Sequence, residues 1–195
     1  MSELSESMDK MIAAAKVLPL RYWADPILSV ICDKIGDSEF GPQLEEFGRE
    51  LIATMNDANG VGLAAPQVGV AKRMFAMLFP TNEELKPIVV CNPTIVLAGK
   101  SVFETEGCLS VPGVRQQVYR ALDVTMQYQD PTGKNFEMLI TSWDSRVAQH
   151  EFDHLNGIMF FDYKDKRETY GARMSKQMSK GALRDWEKEK RKRGL

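Results

Sequence analysis

The length, composition and charge of the chain exclude several classes of protein. Its 195 residues are 44% hydrophobic, and 25 lysines and arginines nearly balance 27 aspartates and glutamates, giving a net charge of −2. These values exclude a globally disordered chain and a strongly basic DNA-binding protein. No apolar run approaches the roughly 18 residues of a membrane helix, and the first residues do not form a secretory signal. We therefore predict a single domain over residues 1–195, with a core at about 20–165, that contacts neither membrane nor DNA.

The first predicted elements are a helix followed by several short strands. The helix is predicted over residues 41–59, where apolar residues recur at spacings of three and four before the stop at Asn59-Gly60. Prolines and glycines then separate three β-rich runs, at 74–78, 88–91 and 94–97.

The second half of the chain predicts a hairpin and then a helix. Segments 121–129 and 135–140 flank Asp130-Pro131-Thr132-Gly133, whose proline and glycine are typical of a reversal between antiparallel strands. Thr141-Ser142-Trp143-Asp144 offers a hydroxyl three residues before a carboxylate, which predicts a capping box and a helix start. Asn156-Gly157 predicts the end of that helix.

The predicted helix contains the motif His150-Glu151-Phe152-Asp153-His154. Its spacing places two imidazoles one turn apart on the same helix face, where both can bind one metal ion. They are the only two histidines of the chain. Glu151 beside them can accept a proton from a metal-activated water and later deliver it to a leaving amine. The motif therefore predicts metal-dependent amide hydrolysis.

A catalytic site of this kind needs a third protein ligand, which the motif does not supply. The downstream carboxylates that could serve are Asp162, Asp165 and Glu168. Among the cysteines the strongest candidate is Cys108, because it lies in Glu106-Gly107-Cys108-Leu109-Ser110, where a glycine permits close backbone approach. The other two, Cys32 and Cys91, lie in apolar stretches and are predicted to be small buried hydrophobic residues.

A stretch of small residues, Gly60-Val61-Gly62-Leu63-Ala64-Ala65-Pro66-Gln67, follows the first predicted helix. It has neither the Rossmann spacing nor the Gly-Lys-Ser of a P-loop, so it does not predict a phosphate site. Small residues would let backbone groups approach a peptide substrate. The amide of Gln67 could donate a hydrogen bond to a developing oxyanion.

Three separated segments together resemble the peptide deformylase family. They are GVGLAAPQ at 60–67, EGCLS at 106–110 and QHEFDHLNG at 149–157, in the order in which the family has them. The resemblance implies a metal-dependent hydrolase that removes the N-formyl group from the initiator methionine of new polypeptides and releases formate. It also implies an α+β fold, with antiparallel sheets packed around a central HExxH metal-binding helix, a helix in the N-terminal half and a C-terminal helix.

The resemblance assigns roles to residues of all three segments. Cys108, His150 and His154 would bind the metal, and Glu151 would be the general base and acid. Gln67 and the backbone amide of Leu109 would hold the formyl oxygen as it becomes an oxyanion. The residues predicted to line the substrate cleft are Gly60, Val61, Gly62, Glu106, Gly107, Arg115, Trp143 and Val147.

Some of these assignments have structural alternatives. Val61, Trp143 and Val147 could be ordinary core residues rather than pocket walls. Glu106 and Arg115 could form a structural ion pair. Trp143 also departs from the family pattern, because Ser142-Trp143 replaces a more common pair of a small and an aliphatic residue. Pocket size and side-chain preference therefore stay open at this point.

The ligand set also bears on the metal. An anionic thiolate donates charge to the ion, so the site would work best with a metal other than zinc. The resemblance points to one Fe(II) per chain, with zinc, nickel or cobalt able to occupy the same ligands. A thiolate beside a redox-active ion is prone to oxidation.

Two other functions compete with the deformylase hypothesis. HExxH also serves general zinc metallopeptidases, although here a third ligand could not be a histidine. A non-enzymatic domain stapled by a structural metal is the second alternative, but such a site would not require Glu151.

The C-terminal end and the compartment are predicted from composition. Residues from about 166 to 195 are helical in composition and end in a basic run, which is either a solvated helix face or a surface that docks on ribosomal RNA. Its basic residues are Lys188, Lys190, Arg191, Lys192 and Arg193. Three cysteines at wide spacings argue for a reducing compartment. We expect a cytoplasmic enzyme of a bacterium or a bacterial-type organelle.

Overall fold

Five antiparallel strands follow one another across a single sheet in the order of the chain. The computed structural model describes residues 10–81 and 84–163. The strands are β1 (Gly62–Ala64), β2 (Met74–Thr81), β3 (Glu84–Cys108), β4 (Val111–Gln129) and β5 (Asn135–Thr141). The long helices are α1 (Pro42–Asp57) and α2 (Ser142–His154), and 3-10 helices lie at Pro26–Ser29, Asp37–Glu39, Ala65–Val68 and Phe160–Asp162. The predicted α+β fold is confirmed, and so are the first helix and the hairpin across Asp130–Gly133.

Strand β3 corrects the prediction of separate short strands. The predicted runs at 88–91 and 94–97 belong to one strand of 25 residues, which pairs with β2 near its start and with β4 over most of its length. The pairing shifts register between Cys91 and Thr94 and again between Ala98 and Ser101. Proline has no N–H for the ladder, so a bulge absorbs Pro93 without ending the strand. The turn of the β3–β4 hairpin consists of Leu109 and Ser110.

Strand β2 lies between the two long helices. Successive residues of a strand face opposite sides of the sheet. Phe75 and Met77 pack on the side of α2, in a cluster that includes Val147, Ala148 and Leu155. Met74 and Ala76 pack on the side of α1, in a cluster that includes Leu51, Ile52 and Met55. Helix α2 is therefore fixed against the sheet by its apolar side, which leaves its other residues free to form a site.

The ends of α2 agree only in part with their predicted signals. The helix begins at Ser142 as predicted, but the side chain of Thr141 forms no capping hydrogen bond, so the predicted capping box is wrong. Ser142 has a φ of +56°, which differs from the helical backbone that a capping box requires at that position. The helix ends at His154, and Gly157 has the left-handed φ of +64° that suits a residue beyond a helix end.

Two of the three cysteines belong to the hydrophobic core. Cys32 and Cys91 are 4% and 0% exposed, which confirms the prediction that they are buried. Burial raises the pKa of the Cys32 thiol to about 11 and that of Cys91 to about 12.

The last two sequence predictions concern the C-terminal segment and membrane-spanning helices. The predicted C-terminal helix and its basic end, at about 166–195, lie outside the described residues. Within the described part of the chain, the helices are too short or too polar to cross a membrane.

Candidate active site

A cleft of about 450 Å³ brings the three sequence segments together. One wall is the segment after α1, another is the β3–β4 hairpin, and α2 forms the floor. The predicted site residues that line the cleft are Gly60, Val61, Gly62, Gln67, Glu106, Gly107, Cys108, Leu109, Arg115, Trp143, Val147, His150 and Glu151. The remaining one, His154, is buried next to Cys108.

Cys108, His150 and His154 form a group that could hold a metal ion. Their ligand atoms all lie within 4.8 Å of one another. The Cys108 Sγ is 3.3 Å from His154 Nε2, and the two imidazole rings are 5.0 Å apart. One thiolate and two imidazoles are donors that suit zinc, iron, cobalt or nickel, so the residues present fit a divalent transition metal.

The structure distinguishes among the residues predicted as a third ligand. Cys108 brings its sulfur to the two histidines because the tight turn at 109–110 ends β3 beside α2. Asp162 instead accepts a hydrogen bond at 2.9 Å from the backbone N–H of Met159, at the start of a 3-10 helix. Asp165 and Glu168 lie outside the described residues.

Glu106 holds one of the two histidines from behind. It is 5% exposed, and its Oε2 lies 3.0 Å from His150 Nδ1. A hydrogen bond at Nδ1 fixes the tautomer and the plane of the ring, leaving Nε2 for the metal. No hydrogen-bond partner lies at His154 Nδ1 among the described residues, although that atom is buried.

Two buried arginines, not predicted from the sequence, hold Glu106. Arg120 donates from Nε to Oε1 at 2.8 Å and from Nη2 to Oε2 at 2.9 Å, and Arg146 donates from Nη1 to Oε1 at 2.7 Å. Burial acts to raise the pKa of Glu106, but the Arg120 guanidinium and the His150 hydrogen bond outweigh it and hold the pKa well below its usual range. Glu106 therefore forms an ion pair, but with these arginines rather than with the exposed Arg115.

The arginine network continues beneath the site. Arg120 also donates from Nη1 to Asp153 Oδ2, which accepts a further hydrogen bond at 2.6 Å from the Tyr163 hydroxyl. Asp153 follows Glu151 by two residues, so it points away from the cleft into this network. Arg120 and Tyr163 are 33 and 10 positions from Asp153 along the chain, so no local sequence pattern predicts these contacts.

Glu151 is buried beside the metal-binding group. It is 4% exposed, and its Oε2 has no hydrogen-bond partner within the described parts of the chain. Burial, the largest effect, raises the pKa of Glu151 to about 7. A carboxylate with a pKa near neutrality can both take and return a proton.

Gly62 makes room for this carboxylate. A Cβ atom at Gly62 would lie 2.8 Å from both Cγ and Cδ of Glu151, so any larger residue would push Glu151 out of place. Gly60 similarly makes room for Leu109, whose Cδ1 would lie 2.7 Å from a Cβ at that position. The small residues of this segment thus admit side chains of the site itself, and their contact with a peptide substrate stays a prediction.

Gln67 is anchored so that its amide nitrogen faces the hairpin. Its Oε1 accepts a hydrogen bond from the backbone N–H of Ala64 at 2.8 Å. Its Nε2 then lies 3.1 Å from Ser110 Oγ and 3.5 Å from Cys108 Sγ. The side chain is 1% exposed, which fixes a donor beside the metal-binding group.

The rim of the cleft is apolar and open to solvent. Val61 and Trp143 are 45% and 52% exposed, so they are not core residues. Val147 lies deeper in the cleft and also belongs to the cluster between α2 and the sheet.

Comparisons with known proteins identify the family of the chain. A model of the polypeptide deformylase family matches residues 17–170. A peptide deformylase of Chlorobaculum tepidum is 40% identical over 156 residues, covering 78% of this chain and 82% of the relative. One from Desulforudis audaxviator is 42% identical over 147 residues, covering 75% of this chain and 92% of the relative.

Solved structures give the same result. The crystal structure of the peptide deformylase from Thermotoga maritima has a TM-score of 0.70 and 34% identity, covering 75% of this chain and 97% of that one. The Met-Ala-Ser-bound class I type b enzyme of Acinetobacter baumannii has a TM-score of 0.70 and 35% identity, covering 76% of this chain and 98% of that one. The chain therefore belongs to the peptide deformylase family, the metal-dependent hydrolases that remove the N-formyl group from new polypeptides.

Proposed function

We propose a specific role for each residue of the cleft in removing the formyl group from N-formylmethionyl peptides. Cys108, His150 and His154 hold one divalent metal ion, and Glu151 transfers the proton. The observation that carries this proposal is the convergence of three ligand atoms within 4.8 Å, next to a buried carboxylate with one oxygen that no described residue hydrogen-bonds.

Glu151 has the position and the pKa for both proton transfers. The metal, when bound, supplies a Lewis acid that polarises the formyl group and acidifies water. Glu151 takes a proton from water as the water oxygen adds to the formyl carbon. It then gives this proton to the amine nitrogen as the C–N bond breaks, so formate and a free N-terminus leave.

Gln67 and the backbone N–H of Leu109 stabilise the formyl oxygen as negative charge develops on it. The hydrogen bond from Ala64 to Gln67 Oε1 supports this role, since it aims Nε2 toward the cleft before substrate arrives. A donor fixed in advance requires no reorganisation during the reaction.

The methionine side chain packs against the apolar part of the cleft, formed by Val61, Trp143 and Val147. Gly60, Gly62, Glu106, Gly107 and Arg115 line the rest of it, where the peptide backbone needs polar or closely approaching partners. The Met-Ala-Ser peptide bound to the Acinetobacter baumannii relative supports this substrate class.

Iron(II) is the metal that we propose for the enzyme in the cell, and zinc, nickel or cobalt could replace it in purified protein. The mixed thiolate and imidazole donors support this choice without requiring it. We expect the iron form to lose activity in air while the nickel form retains it, because the thiolate and the iron are both oxidisable. Equal loss of activity from both forms in oxygen would refute iron as the source of sensitivity.

The direct test of this function is anaerobic formate release from formyl-Met-Ala-Ser, measured beside acetyl-Met-Ala-Ser on protein of known metal content. We expect rapid release from the formyl peptide alone, with about one metal per chain. A general metallopeptidase would instead cleave internal bonds of an unblocked peptide, and family membership does not favour it. No formate from a fully metal-loaded protein would refute the proposal.

Ribosome contact and the cytoplasmic setting remain predictions. Bacterial relatives support a bacterial-type setting, and only the charge of the basic end supports docking on ribosomal RNA. Truncation after Asp185 should weaken salt-sensitive ribosome binding if the end docks there. Unchanged binding would leave the basic residues as a solvated face.

A further inference from the structure

Arg146 is a buried arginine of α2 that also lines the cleft, and its hydrogen bonds in the described part of the chain go to Glu106 and to backbone carbonyls of the hairpin. It is 2% exposed and lies four residues before His150, one turn along the helix. Its Nη1 is 2.7 Å from Oε1 of Glu106, while His150 Nδ1 is 3.0 Å from Oε2 of the same carboxylate. One helix face therefore delivers two groups to the two oxygens of Glu106.

The other contacts of Arg146 join α2 to the β3–β4 hairpin. Its Nη1 donates to the carbonyl oxygen of Val118 at 3.0 Å, and its Nη2 donates to that of Val102 at 3.0 Å. Its Nε lies 3.3 Å from Oε2 of Glu104, whose side chain is 53% exposed. The arginine thus links the helix that carries both histidines to the hairpin that carries Cys108.

Arg146 adds a second buried arginine to the carboxylates beneath the site, beside His150, which also lies against Glu106. Glu106 and Asp153 are two buried carboxylates, and Arg120 forms ion pairs with both. Without Arg146, these two carboxylates would share one guanidinium, and an unpaired buried charge is costly. Glu104 contributes little, because solvent screens an exposed carboxylate.

We propose that Arg146 is a positioning residue for metal binding, which acts by holding Glu106 in the orientation that fixes His150. Arg120 donates one hydrogen bond to each oxygen of Glu106. Arg146 donates a second hydrogen bond to Oε1. This inference rests on the proposed metal site. Replacing the group hydrogen-bonded to a metal ligand, as Glu106 is, typically weakens metal binding by about 10- to 100-fold, and a residue that holds this group in place should have an effect up to that size.

The test measures Co²⁺ affinity of the full-length, metal-free chain by competition with a chelator under reducing conditions. We expect Arg146→Met to weaken Co²⁺ binding by about 10-fold and at most by about 100-fold. Glu104→Gln is the matched control, because it removes the exposed ion pair of Arg146 and leaves the bond to Glu106. We expect it to change the affinity by less than about twofold.

A double-mutant cycle distinguishes a residue that positions Glu106 from one that only stabilises the fold. If Arg146 acts through Glu106, adding Arg146→Met to Glu106→Gln should weaken Co²⁺ binding little further. An undiminished additional loss would overturn the proposal. So would an Arg146→Met protein whose melting temperature falls while its Co²⁺ affinity is unchanged, because that is the behaviour of a purely structural brace.

Arg146→Lys keeps the test decisive if Arg146→Met does not fold. Lysine retains a cation for Glu106 but cannot reach both carbonyl oxygens, so the proposal expects lower thermal stability with Co²⁺ affinity close to that of the wild type. Loss of affinity in step with loss of stability would overturn it. Wild-type protein that binds no Co²⁺ would refute the metal site itself, whereas normal wild-type binding with an unaffected Arg146→Met refutes this inference alone.

Discussion

The floor of the cleft and its rim are built in different ways. On the floor, taken here as α2 with the groups buried against it, Glu106 lies within hydrogen-bond distance of two arginines and of His150, and Glu151 is buried behind Gly62. At the rim, Val61 and Trp143 are about half exposed and their apolar surfaces face solvent. The floor is thus fixed by contacts within the protein, whereas the rim has apolar surface for which we propose contact with the substrate. Floor substitutions should change chemistry and metal binding, and rim substitutions should change substrate choice.

The largest effect should follow Glu151→Gln on the floor. Glutamine keeps the shape of the side chain but cannot accept the proton, so formate release should fall by about 10²- to 10⁴-fold. Metal content, measured on the same preparation, should not change, since Glu151 is not a ligand. A variant that retained most of its activity would contradict the proposed proton transfer.

Gly62→Ala should damage the floor without touching a charged group. The added Cβ would overlap Glu151, and overpacking a buried site typically costs about 1 to 3 kcal/mol. We expect formate release to fall at least about tenfold, the equivalent of 1.4 kcal/mol. Gly36→Ala is the control, because its Cβ would meet only the Glu39 carboxylate, at 3.4 Å. Equal effects of the two substitutions would show that the room at Gly62 is unimportant.

Alkaline pH should lower the stability of the protein through the two cysteines of the hydrophobic core. The pKa of Cys32 is raised to about 11 and that of Cys91 to about 12, whereas a thiol in the unfolded chain ionises near about 8.5. The native state therefore keeps protons that the unfolded state releases, so the free energy of unfolding falls as the pH rises from about 8.5 toward 11. Urea titrations at pH 8 and pH 10 measure this fall.

A double variant, Cys32→Ala with Cys91→Ala, is the reference for that experiment. It should lose stability at both pH values and show a shallower fall between them. An equally steep fall would mean that other groups cause the alkaline effect.

In the native protein at neutral pH, a thiol reagent should modify only Cys108, and only after a chelator removes the metal.

The smallest effect should follow Trp143→Leu at the rim. Changing one apolar wall typically alters discrimination by about 1 to 3 kcal/mol at most, so we expect the order of formyl-Met, formyl-Leu and formyl-norleucine peptides to change while metal content stays constant. Relative kcat/KM values measure this order. An unchanged ranking would remove Trp143 from the side-chain pocket.

The sequence predicts the parts of this site that depend on local spacing. His154 follows His150 by four positions, and this alone places them on one helix face. The hairpin across Asp130–Gly133 is likewise a local signal, and it is confirmed. The meeting of Cys108 with His154 is not local, since the two are 46 positions apart. The residues alone make Cys108 one of several candidates, and the family resemblance selects it.

The supporting network could not be predicted in the same way. Arg120 and Arg146 look like ordinary strand and helix residues, and their burial depends on partners 14 and 40 residues from them. The breaks predicted inside β3 failed for a related reason, because pairing with β4 continues past Pro93 through a register shift. Long-range pairing decided both outcomes, and a single sequence records it poorly.

The most direct test of the central claim compares wild type with Cys108→Ala for metal content and anaerobic formate release from formyl-Met-Ala-Ser. The wild-type chain should carry about one metal and release formate, while Cys108→Ala should lose most of both, because two histidines alone do not complete the site. A Cys108→Ala protein that kept its metal and its full turnover would contradict the account.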